Sequence, residues 1–112
     1  MNHQSQLNIT FARQARDNGI NQAVNHADEV HEKWSDTAYE LLKKFIRAQR
    51  SEFFAEDFRF AVTDLIPAPP HNRAYGGIFM RAAKAGLIRR VRYGPVKNVK
   101  AHRANASVWK KT

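Results

Sequence analysis

Three prolines within four residues, Pro67, Pro69 and Pro70, bar a helix or a central strand from the middle of this chain, so its periodicity is read separately on either side of them. Upstream, Ala38, Leu41, Leu42, Phe45 and Ile46 recur at three- and four-residue spacing, while Glu40, Lys43, Lys44 and Arg47 point away from that stripe. The pattern predicts an amphipathic helix running to about Gln49, with Ser35 as its N-cap and Asp36 at its positive end. Glu52-Phe53-Phe54 reads as a short extended piece. Glu56 and Asp57 then start a second helix that turns Phe58, Ala61, Val62 and Leu65 inward and that the prolines stop. Downstream, Asn72 is the expected N-cap of a third helix, Arg73 to Ala85, with Tyr75, Phe79, Ala82 and Ala83 inward and Gly86 as a left-handed C-cap. Leu87 to Tyr93 reads as a strand, Gly94-Pro95 as a turn, Val96 to Ala106 as a basic loop and Val108-Trp109 as the returning strand.

Helix, strand, helix, helix, hairpin is the order of a winged helix-turn-helix. The expected class is therefore α+β, mostly α: three core helices and a C-terminal β-hairpin wing over residues 34–112. Residues 1–33 form a polar N-terminal extension. Within it, a short helix at Phe11 to Arg16 ends at Asp17-Asn18-Gly19, and a second segment, Ile20 to Glu32, places Ile20, Val24 and Ala27 at helical spacing. A length of 112 residues suits one domain, and the absence of cysteine removes disulfides and thiolate metal sites, which fits a reducing compartment such as the cytoplasm. No apolar run approaches the roughly 20 residues of a membrane span, and Met1 to Thr10 lacks the Lys or Arg of a secretory signal.

Charge narrows the function classes. The chain carries a net +9, unevenly distributed: residues 1–64 hold eight Lys or Arg and ten Asp or Glu, whereas residues 65–112 hold eleven Lys or Arg and no acid. A surface meant only for solubility mixes both signs, so the acid-free stretch points to a phosphate-bearing partner.

In a winged helix the second helix of the pair enters the major groove, which here is the third predicted helix. Arg73, Gly77, Met80 or Arg81, and Lys84 fall three or four apart along its outward face, opposite Tyr75, Phe79 and Ala82, and Arg73, Arg81 and Lys84 are the expected contacts. Gly76-Gly77 inside a helix marks a backbone approached closely, either by DNA or by a neighbouring helix. On the hairpin, strict alternation puts Ile88, Arg90 and Arg92 on one side and Leu87, Arg89, Val91 and Tyr93 on the other, with Leu87, Val91 and Tyr93 resting on the core. Arg90, Arg92, Lys97, Lys100 and Arg103 are the expected backbone clamp. Tyr75 is assigned to the core. Phe45, Phe53, Phe54, Phe58, Phe60, Phe79 and Trp109 are mostly core as well, with base stacking by Tyr93 or Trp109 as the alternative for those two.

Catalysis finds little support. All acids precede Leu65, the candidate bases His71 and His102 follow it, and no glycine-rich phosphate loop or metal-spaced histidine pair is present. The five histidines read as surface or capping residues, and no enzyme activity, metal or cofactor is expected.

Three stretches carry a resemblance: Phe53-Phe54-Ala55-Glu56-Asp57-Phe58-Arg59, Pro69-Pro70-His71-Asn72-Arg73-Ala74-Tyr75-Gly76, and Ala82-Ala83-Lys84-Ala85-Gly86-Leu87-Ile88-Arg89-Arg90-Val91, closing at Val108-Trp109. Over residues 34–112 the chain resembles a group of small bacteriophage and prophage proteins. The resemblance implies a winged helix and a phage source, and it brings no site residues with it. The expected function is duplex DNA binding in transcriptional control or replication. The competing expectation is an interaction protein whose basic surface occupies a groove on a host protein.

Overall fold

The computed structural model describes the backbone of residues 3–95 and 105–112 and the side chains of residues 13–95 and 106–112. Among these run, in chain order, α1 (His3–Val30), α2 (Trp34–Ala48), β1 (Phe53–Phe54), α3 (Ala55–Ala61), α4 (Arg73–Lys84), β2 (Ile88–Pro95) and β3 (Asn105–Lys111). The strands form one antiparallel sheet in the order β1-β3-β2. The described chain is thus α+β and mostly helical, and none of its helices is long and apolar enough to cross a membrane.

The stripe expected upstream of the prolines becomes α2, which buries Trp34, Ala38, Tyr39, Leu42 and Ile46, with Leu41 and Phe45 half-buried beside them. Its start differs from expectation. Trp34 is already helical, Lys33 takes a left-handed conformation (φ 57°), and Ser35 does not cap. Instead Asp28, reaching over from α1, accepts hydrogen bonds from the Ser35 backbone N–H and hydroxyl, both at 2.8 Å. A carboxylate seven residues upstream satisfies the free donor, which only the turn between the two helices makes possible.

In α3, the Phe54 N–H donates to Asp57 at 2.8 Å, and Phe58 and Val62 pack inward. The helix ends at Ala61, six residues before Pro67, and tightens into turns closed by bonds such as Leu65 N–H to Val62 O at 2.9 Å. That loss of phase moves Ile66 inward in place of Leu65, which is 64% exposed, and leaves Ala61 exposed too. Phe60, expected in the core, is 67% exposed. The Trp34 indole N–H ties the proline segment down by donating to Pro67 O at 2.9 Å.

Helix α4 buries Ala74, Tyr75, Ile78, Phe79 and Ala82. Asn72 makes no side-chain cap; the His71 imidazole accepts the Arg73 N–H at 3.0 Å. Gly86 does close the helix in the left-handed conformation (φ 78°), with the Leu87 N–H bonded back to Ala82 O at 3.0 Å. Rings from every layer meet edge-on around Phe58 and Phe79: Phe45–Phe58, Phe58–Tyr75 and Phe58–Phe79 centroids lie 5.5, 6.2 and 5.9 Å apart.

The hairpin is longer than expected. Gly94 and Pro95 continue β2, pairing with Ala106 and Asn105 rather than turning. Strand β2 lies at the sheet edge, where a proline that donates no hydrogen bond is tolerated. The segment between the strands, with Lys97, Lys100 and Arg103, lies outside the described residues.

The N-terminal extension holds the largest correction. Asp17-Asn18-Gly19 does not end a helix; α1 runs unbroken from His3 to Val30. A glycine in a helix costs about 1 kcal/mol relative to alanine. Here it is offset by packing, because Ala23 and Ala27 join the core and Ile20 and Val24 lie against Gly76 and Gly77 of α4.

Candidate nucleic-acid interface

The outward face of α4 is where base contacts were expected, and α1 lies across its middle. A methyl group placed on Gly77 would sit 2.5 Å from Val24 Cγ2 and 3.2 Å from Ile20 Cγ2. The glycine pair therefore serves helix packing, the second of the two roles it could have played. Arg73 is left on one flank of the crossing, its guanidinium against Gly19. Met80, Arg81 and Lys84 line a groove on the other flank, facing Asp17 and Asn21. Asp17 Oδ1 is buried there without a hydrogen bond, and its nearest cation is Arg16 Nε at 3.6 Å.

Arg81 is engaged within the fold. It pairs with Asp36 at 3.0 Å and lies over the Tyr39 ring at 4.0 Å, which ties α4 to α2. Lys84 is exposed. The three expected contacts therefore do not share one open face.

The hairpin arranges its cations differently. Arg90 pairs with Trp109 but Arg92 with Val108, so Val91 is an extra residue, a β-bulge. Beyond it the alternation flips. Ile88 and Arg90 share one face, as expected, but that face, with Trp109, is the one turned to the core, where Leu87 and Val91 were expected; Tyr93 joins it, and Arg92 moves to the opposite face with Arg89, Lys110 and Val108. Ile88, 2% exposed, seats the strand in the core, whereas Val91 is half-buried and Tyr93 is 58% exposed. Arg92 forms an ion pair with Glu52. Among the described residues Arg73, Lys84, Arg89, Arg90 and Lys110 form no ion pair.

Tyr75 stays in the core, edge-on to Trp34 at 5.4 Å. Burial pushes its hydroxyl above the ordinary pKa of 10.0, with Arg59 pulling the other way, so it is protonated at neutral pH. Among the described residues no group of three or more His, Asp or Glu could hold a metal ion.

The sequence reading missed the cover that α1 forms and the bulge that re-sorts Arg92 and Tyr93. The glycine pair was the available signal for the first; the second left none that period-two counting could detect. Comparison with protein-family models, with curated proteins and with solved structures found no match.

Proposed function

We propose that this chain is a winged-helix protein that binds duplex DNA through its backbone, gripping phosphates with the hairpin rather than reading bases with α4. The order of elements from α2 onward and the strand order β1-β3-β2 support the winged-helix reading. The observation that carries the binding reading is the outer face of the hairpin, where Arg89 and Lys110 stand together without an ion pair, beside Arg92 held by Glu52, on a half of the chain whose own sequence has no acidic residue. Lys97, Lys100 and Arg103 add to that charge through their place in the sequence between the strands. Helix α4 contributes from its ends, Arg73 and Lys84, because α1 occupies its centre. Contacts of this kind give affinity and orientation with little choice of sequence. The proposed setting is a phage or prophage, and the proposed role is transcriptional control or replication.

The test is a fluorescence-anisotropy titration of an unrelated duplex at two salt concentrations. Neutralising about four phosphates makes affinity fall roughly a hundredfold between about 50 and 200 mM salt. Binding that ignores salt sinks the proposal. A second reading, an interaction protein seated on a host protein, draws support from the exposed apolar pair Phe60 and Leu65. Co-purification with one host protein and no retention of DNA favours it.

A further inference from the structure

The bulge at Val91 does more than lengthen the strand. Arg90 and Tyr93 are three apart and would face opposite ways on a regular strand; the extra residue puts both on the face that carries Trp109 and Ser107. There the Arg90 guanidinium lies 5.0 Å from the Tyr93 ring centre and 5.1 Å from that of Trp109. Trp109 is 7% exposed and packs on Phe79 at 5.8 Å, whereas Tyr93 is 58% exposed. A large aromatic ring thus stands at the surface with an arginine stacked on it.

This face forms one wall of a cleft of about 340 Å³. The opposite walls come from Arg16 of α1 and from Gly76 and Met80 of α4, and among the described residues no acidic side chain lines it. A cleft of this size is at the lower end of small-molecule sites, which span about 300–1,000 Å³. Its chemistry has two halves, an exposed π-face and two arginines. One ligand class carries both complements, a flat base and a phosphate.

We infer that the cleft between α1, α4 and the hairpin holds an unpaired nucleotide of a single strand, its base stacked on Tyr93 and its phosphate held by Arg16 and Arg90. A base inside a duplex cannot enter, since its π-face is covered by its neighbours, so this site is separate from the outer face that grips duplex phosphates. The inference rests on the nucleic-acid reading above. It adds that the protein engages a single-stranded stretch, such as a duplex end or an opened segment.

The experiment uses the full chain and three probes: a fluorescent oligothymidylate, an abasic strand of the same length, and a duplex. Tyr93→Ala is expected to weaken oligothymidylate binding about tenfold, within the range for loss of one stacked base. Tyr93→Phe, which keeps the ring, binds as the wild type does. The abasic strand and the duplex respond equally to wild type and Tyr93→Ala. Unchanged oligothymidylate binding by Tyr93→Ala, or an equal loss on the abasic strand, overturns the stacking site while duplex binding still stands. Failure of all three probes to bind overturns this site and the nucleic-acid reading together.

Discussion

Gly76 and Gly77 are neighbours in α4 with opposite demands. A β-carbon on Gly76 meets Ile20 Cδ1 at 3.7 Å, an ordinary contact, whereas one on Gly77 meets Val24 Cγ2 at 2.5 Å, which no structure accommodates without movement. Replacing a helix glycine with alanine gains about 0.8–1 kcal/mol of propensity. Gly76→Ala therefore stabilises the protein by up to about 1 kcal/mol. Gly77→Ala forfeits the same gain to overpacking against a β-branched side chain, a cost of about 1–3 kcal/mol, and is destabilising on balance. Urea midpoints of the two variants check the opposed signs; equal shifts would mean that α1 does not press on Gly77. This pair also marks how far residue-level reading of the sequence reaches. Two glycines inside a helical pattern announce a close approach, but which body approaches depends on Ile20 and Val24, far upstream in the chain. Gly86 was legible outright, because a left-handed helix end is a local requirement. Ser35 and Asn72 were not, since their capping roles passed to Asp28 and His71, and identity at the cap position does not reveal a better-placed acceptor nearby.

Among the elements, α2, β1, α4 and the hairpin could be read in advance because each carries its own period, whereas α1 could not. Its apolar positions are few, its Asp17-Asn18-Gly19 has turn chemistry, and only burial against α4 makes it continuous. The proposed mode of DNA binding turns on this helix, since with α1 in place the centre of α4 stays closed. The chain has no cysteine, and a β-carbon at Gly77 lies 3.9 Å from Val24 Cβ, close to the mean of about 3.8 Å in disulfides. Val24→Cys/Gly77→Cys therefore locks α1 onto α4 when oxidised. If the hairpin carries the affinity, oxidised and reduced protein bind duplex equally in an anisotropy titration. Binding by the reduced form alone would mean that α1 must leave and that α4 enters the groove.

On the scale of the whole molecule, acids of the first half hold cations of the second. Asp36 holds Arg81 between α2 and α4, and Glu52 holds Arg92 between the start of β1 and β2. Both pairs are largely exposed and each adds at most about 1 kcal/mol to stability, so their main consequence is to decide which cations remain for a phosphate. The charge split was plain in the sequence; this allocation was not, because it depends on the bulge and on helix packing. It predicts three different salt responses for duplex binding. Arg89→Ala/Lys110→Ala removes two free cations from the outer hairpin face and lowers the slope of log affinity against log salt by about 2. Arg81→Ala leaves the slope where it was and lowers the urea midpoint instead, since that side chain is committed to Asp36 and Tyr39. Glu52→Gln releases Arg92 and raises duplex affinity with a steeper slope. A loss of slope on Arg81→Ala equal to that of the hairpin variant would return the interface to α4 and require α1 to move aside, an outcome that the locked disulfide variant tests independently.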